Sequence, residues 1–174
     1  MAEEGDVLKN LDPAPQGNGA DTAPVAGIIS QYVKDLSVEN PRSPDSFRWT
    51  DAPSMDVQFN IGANKVNDEV QEVELKITVT ATHQAGTAYI VDLSYCGLVG
   101  MRNMVEAQAH AFLYAEAPRI LFPFARRVVS DAIRDAGFAP LMLDPIDFNG
   151  LYIQRMQQRD AQAGAPVAPA GSEA

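Results

Sequence analysis

One stretch, Val70 to Val99, limits what this chain can become. Val73, Leu75, Ile77, Val79 and Ala81 alternate with Glu72, Glu74, Lys76, Thr78, Thr80 and Thr82. Period two makes one face apolar and the other polar, which is the pattern of a half-covered β-strand. Valine, isoleucine and threonine dominate it, as strands prefer. His83-Gln84-Ala85-Gly86 interrupts the run. A second alternation follows, with Tyr89, Val91, Leu93 and Tyr95 on one side and Ile90, Asp92 and Ser94 on the other. The pair reads as a long antiparallel hairpin whose apolar face needs a cover.

Two further strands precede the hairpin. Val25 to Glu39 predicts the first, with Tyr32, Lys34, Leu36 and Val38 on one side and Val33, Asp35, Ser37 and Glu39 on the other. Lys34 then falls on the apolar side, near an edge where its amine can reach water. Pro41 and Pro44 stop that strand, because neither can donate to a ladder. A loop from Asp45 to Ser54 carries Phe47 and Trp49, the only tryptophan. Met55, Val57, Phe59 and Ile61 alternate with polar residues as a second strand, and Gly62 to Lys65 reads as a turn.

After Gly100 the period lengthens. Asn103, with Glu106 three residues on, predicts a capped helix start. Val105, Ala109, Phe112 and Leu113 form its stripe, and Pro118 ends or kinks the run. Leu121, Phe124, Val128, Ala132, Ile133 and Ala136 predict a second helix, closed by Gly137 in a left-handed conformation with Phe138 beyond it. A third starts near Asp147, with Phe148, Leu151, Tyr152 and Met156 on one face. Four strands followed by three helices mean an α+β fold, with a four-stranded antiparallel sheet covered on one face by helices. The domain is expected over 25–160. Residues 1–24 and 161–174, rich in Ala, Pro and Gly, are expected to be disordered tails.

Thirteen basic against 23 acidic residues leave a formal charge of −10. Such a surface repels phosphate backbones and argues against nucleic acid as a partner. Cys96 is the only cysteine, so no intrachain disulfide forms and a reducing compartment is allowed. The acidic start lacks a signal-peptide pattern, and no apolar run approaches the roughly 20 residues of a membrane span. The expected location is the cytoplasm. No phosphate-cradling GxxxxGK[ST] and no GxGxxG are present. His83, His110 and Cys96 show no metal-ligand spacing, so neither cofactor nor metal is expected. His110 sits among alanines, and Glu72 and Glu74 lie on an open strand face, without the cleft that shifts catalytic carboxylates. No residue is assigned a catalytic role.

Pro118-Arg119-Ile120-Leu121-Phe122-Pro123-Phe124-Ala125-Arg126 resembles the P-x-I-L-F-P-[YF]-A-R hallmark of the bacterial protein-export chaperone SecB family. Tyr32-Val33-Lys34-Asp35-Leu36-Ser37-Val38-Glu39 resembles that family's first strand, 70–81 its third, and Pro145-Ile146-Asp147-Phe148 the PxxF that opens its last helix. The resemblance spans about 28–158. It implies a homotetramer, a dimer of dimers, that holds unfolded presecretory proteins without ATP and passes them to the translocase ATPase SecA. The positions matching the family's translocase-binding surface are Asp35, Glu39, Ile90 and Asp92. The nearest candidates for its client groove are Phe47, Trp49, Met55, Val57 and Phe59. In this loop the family's tryptophan usually follows the phenylalanine by four residues, whereas Trp49 follows Phe47 by two. The implied packing between dimers points to Leu98, Val99, Val105, Phe112 and Leu113. A competing reading is a small-ligand-binding or enzymatic domain with a pocket between sheet and helices.

Overall fold

A computed structural model describes residues 22–163. The tail expectations for residues 1–21 and 164–174 lie outside the described residues. Strands β1 (Val25–Glu39), β2 (Ser54–Lys65), β3 (Val70–His83) and β4 (Gly86–Arg102) form one antiparallel sheet in the order β1-β4-β3-β2. The alternating hairpin thus occupies the centre, and the two shorter-patterned strands are the edges. Gly86 takes φ +138°, which lets the β3–β4 turn close in two residues. Helix α2 (Ala117–Asp135) lies across one face of the sheet, while α1 (Glu106–Ala111) and α3 (Phe148–Ala163) pack against the segment Phe112–Glu116 that joins α1 to α2. Val73, Leu75, Ile77, Val79, Val91 and Leu93 are fully buried against Leu121, Val129 and Ile133 of α2.

Several local expectations are corrected. Gly62 to Lys65 are not a turn but the end of β2, paired with Glu74 to Gln71; the chain reverses after Lys65 instead. Lys34 does not face the core. The β1–β4 register slips between Val33 and Asp35, and this bulge puts Tyr32 and Lys34 on the open face, where both reach Glu72. Asn103 is not a helix cap: it sits at φ 54° and donates through Nδ2 to the Ala23 carbonyl at 3.2 Å, while Val105 precedes the helix. Of the two expectations for Pro118, an end or a kink, the end does not occur. A five-residue π-turn, Phe112–Glu116, joins α1 to α2, placing Pro118 in the first turn of α2, where a missing N–H is tolerated.

Leu121, Ala132 and Ile133 of α2 are buried as expected, but between them the stripe runs through Phe122, Ala125 and Val129 in place of Phe124 and Val128, and Phe124 is 42% exposed. The C-terminus of α2 follows expectation. Gly137 has φ +94°, and the Phe138 N–H donates back to the Ile133 carbonyl at 3.2 Å. Helix α3 is described through Ala163, past the expected boundary at 160.

Candidate functional site: two faces of one sheet

The open face is built by register. Residues directly opposite on antiparallel strands share a face. Glu39 lies opposite Ile90, Ser37 opposite Asp92, and Asp35 opposite Ser94. The sheet therefore brings Asp35, Glu39, Ile90 and Asp92 together on one patch, which spacing in the sequence alone does not show. Asp35 and Glu39 are exposed, and neither has an ion pair among the described residues. Asp92 is partly engaged: Thr78 Oγ1 donates to it at 3.0 Å, and Lys76 Nζ lies 3.6 Å away. Ile90 is half-buried between them.

Further along the same face, Glu72 gathers two groups. Lys34 Nζ donates to Oε1 at 2.5 Å and the Tyr32 hydroxyl donates to Oε2. The bond from Lys34, then that from Tyr32, holds the Glu72 carboxyl below its ordinary value. Burial, and after it the Glu72 carboxylate, pushes the Tyr32 hydroxyl upward. Cys96 is fully buried here, and burial raises its thiol to about 11. A thiol so protonated is a poor nucleophile and metal ligand.

The helix-side face carries the second surface. Met55, Val57, Phe59 and Ile61 of edge strand β2 lie opposite Ala81, Val79, Ile77 and Leu75, so they extend the core face outward. All four are half-buried, because β2 is the edge strand of the sheet among the described residues. The Phe59 ring meets Phe122 at 6.0 Å, and Phe122 meets Phe148 at 5.6 Å. Beside Phe59 a cavity of about 250 Å³ opens between β2, the π-turn and α3. Ile61, Tyr114, Tyr152 and Met156 also line it, with Arg155 and Arg159 at its edge. His110 Nδ1 lies 2.9 Å from the Tyr152 hydroxyl, so this histidine is a packing partner in the wall. Sequence reasoning placed Tyr152 and Met156 on an apolar helix face but had no means of seeing which strand they would meet.

Phe47 and Trp49 lie at the other end of β2. Phe47 is 48% exposed, with its ring 5.2 Å from Phe138. Phe138 is 4.8 Å from Tyr89, and the Tyr89 hydroxyl is 3.9 Å from the Met55 sulfur. An aromatic chain thus connects Phe47 to the head of the β2 strip. Trp49 is half-buried with its ring 5.2 Å from His83. The five candidate groove residues therefore fall on one side of the molecule, opposite the acidic patch.

The candidate interface residues scatter. Val99 and Leu113 are enclosed by the core of their own chain at 0% and 4% exposure, which leaves no surface for a second copy. Val105 is 63% exposed, Leu98 is half-buried, and Phe112 packs half-buried against the core.

The family model "Preprotein translocase subunit SecB" matches residues 19–159. The chain belongs to the SecB family. It is 62% identical to the protein-export protein SecB of Erythrobacter litoralis, covering 98% of this chain and 99% of that one. It is 60% identical to the SecB of Novosphingobium aromaticivorans over the same shares of the two chains. Among solved structures it resembles a SecB-like chaperone of Mycobacterium tuberculosis, determined with a ChAD peptide from an antitoxin. That likeness has a TM-score of 0.58 at 16% identity, covers 70% of this chain and 90% of the other, and supports the SecB-like fold. As a SecB-family member, the chain is a protein-export chaperone. Among the described residues no helix is long and apolar enough to cross a membrane.

Proposed function

We propose that the chain is a cytoplasmic, ATP-independent holdase that keeps unfolded precursors export-competent and hands them to the translocase ATPase SecA, working as a dimer of dimers. The observation that carries this reading is the separation of two chemically different surfaces on opposite faces of one sheet. The acidic patch of Asp35, Glu39 and Asp92 around Ile90 suits a basic partner segment, because opposite charge speeds encounter and Ile90 adds apolar burial. The strip of Met55, Val57 and Phe59, with Phe47 and Trp49 at its head, suits an extended apolar segment of a client. Methionine repacks readily, which favours clients without a common sequence. The half-buried Leu98, the exposed Val105 and Phe112 are the members of the interface set that can meet a second copy.

Different physics makes the surfaces separable. Client holding draws on apolar burial, about 25 cal/mol per Å², and resists salt. Translocase docking draws on charge, screened over about 8 Å at physiological ionic strength. Charge reversal of Asp35 and Glu39 to lysine abolishes binding to SecA and leaves client capture intact. Phe59→Ser does the opposite. Equal loss of both activities in the lysine variant, with fold and assembly retained, contradicts the proposal.

A further inference from the structure

The connection between β1 and β2 is pinned at both ends. At its start, Asn40 Nδ2 donates to the Ala136 carbonyl at 3.2 Å, and Phe47 rests on Phe138. At its end, Asp51 Oδ2 accepts from the Gln84 N–H in the β3–β4 turn at 3.1 Å. The other oxygen of the same carboxylate lies 3.1 Å from His83 Nδ1. That nitrogen is buried and out of line for a hydrogen bond, so the contact is close but unclosed. The bond from Gln84, then the neighbouring His83, keeps the Asp51 carboxyl below its ordinary value. Trp49 lies between the two pins. Its ring sits on His83 at 5.2 Å, and it comes so near the turn that a Cβ on Gly86 would touch Cη2 at 4.0 Å. His83 itself follows Ala81 by two residues, next to the Met55 end of the apolar strip.

We infer that Asp51 and His83 form a latch that fixes the pose of Trp49 and thereby shapes the head of the client strip. This inference rests on the reading of that strip as the client site. Asp51 and His83 touch no client; both are positioning residues that act through the indole. The carboxylate ties the loop to the turn, and the imidazole supplies the surface against which the indole packs. Loss of either anchor releases the indole toward water and removes a rigid aromatic wall from the groove. Rigid walls favour binding because less freedom is lost when the client arrives.

Trp49 is the only tryptophan, so its fluorescence reports the latch directly. The probe is reduced, carboxymethylated lactalbumin, a chain that stays unfolded in buffer. In Asp51→Ala the emission shifts to longer wavelength and acrylamide quenching rises. Affinity for the probe falls about tenfold, the loss expected from one hydrogen-bonded anchor. Asp51→Asn, whose amide oxygen still accepts from Gln84, restores most of the emission and affinity. His83→Ala removes the ring on which the indole packs and gives the same emission shift and loss of affinity; it decides the matter if Asp51→Ala fails to fold. Wild-type emission and affinity in both variants overturn the latch. An emission shift without loss of affinity overturns it too, because Trp49 then lies outside the site. Phe59→Ser separates the two levels of the argument. If it binds the probe as wild type does, the strip itself is misassigned. If it loses the probe while the latch variants keep it, only the latch falls.

Discussion

The seating of α2 on the sheet makes a sharp prediction at Gly97. This residue lies at the centre of β4, between Gln31 of β1 and Val73 of β3. A Cβ there would stand 2.9 Å from Leu121 Cδ2, 3.2 Å from Cδ1 and 3.5 Å from Cγ. Leu121 is fully buried and cannot swing away. Gly97→Ala therefore overpacks the core and costs about 1–3 kcal/mol. Leu121→Ala leaves a void and costs about 2–5 kcal/mol. The two crowded atoms, Cδ2 and Cδ1, both belong to the leucine side chain beyond Cβ, so the two changes must couple. In the Leu121→Ala background, Gly97→Ala meets no clash and gains about 0.4–1 kcal/mol by restricting the unfolded chain. The coupling free energy is then about 1.4–4 kcal/mol, overlapping the range measured for contacting residues. Urea unfolding followed by far-UV circular dichroism measures it. Protein concentration must be held fixed, because self-association makes apparent stability concentration-dependent. Equal cost of Gly97→Ala in both backgrounds would show that α2 does not rest on Gly97 through Leu121.

Three further outcomes are expected. Glu72 has a depressed folded pKa, so its contribution to stability is complete above its ordinary value of 4.5 and disappears as pH falls through the lowered folded value. The urea midpoint of Glu72→Gln should lie below wild type at pH 7, with the gap narrowing as pH falls below 4.5; a constant gap refutes the Lys34–Glu72–Tyr32 account. On the proposed dimer of dimers, Phe112→Asp should leave circular dichroism native-like and reduce native mass from four chains to two, and a variant that stays tetrameric removes Phe112 from the interface. Gly137→Ala forces a side chain into φ +94° with Phe47 Cε1 3.0 Å away, and thermal unfolding should show a loss of about 1–2 kcal/mol.

The central hairpin was readable because its period of two runs through Val73 to Ala81 and again through Tyr89 to Tyr95, with one face buried. Gly137 was readable because a helix end needs positive φ and few residues accept it. Lys34 was not, because a bulge adds a residue without leaving a mark in the hydropathy pattern, and everything before it changes face. The join of α1 to α2 was hidden for a related reason. Pro118 carries a strong break signal, yet the π-turn before it absorbs the geometric conflict that the signal reports. At the two surfaces, residue types were visible and neighbours were not. The alternation put Asp35 and Asp92 on polar strand faces, but only pairing β1 with β4 made them one patch. Phe59 was a groove candidate on its own strand; the cavity wall opposite it comes from α3, about 90 residues later in the chain.

The most direct test of the account is aggregation of a urea-unfolded presecretory protein, diluted into buffer with and without this chain and with no nucleotide present. The account predicts that light scattering is suppressed, that the precursor co-migrates with the chaperone in gel filtration, and that added ATP changes neither. Full aggregation of the precursor beside a folded, assembled chaperone would contradict it.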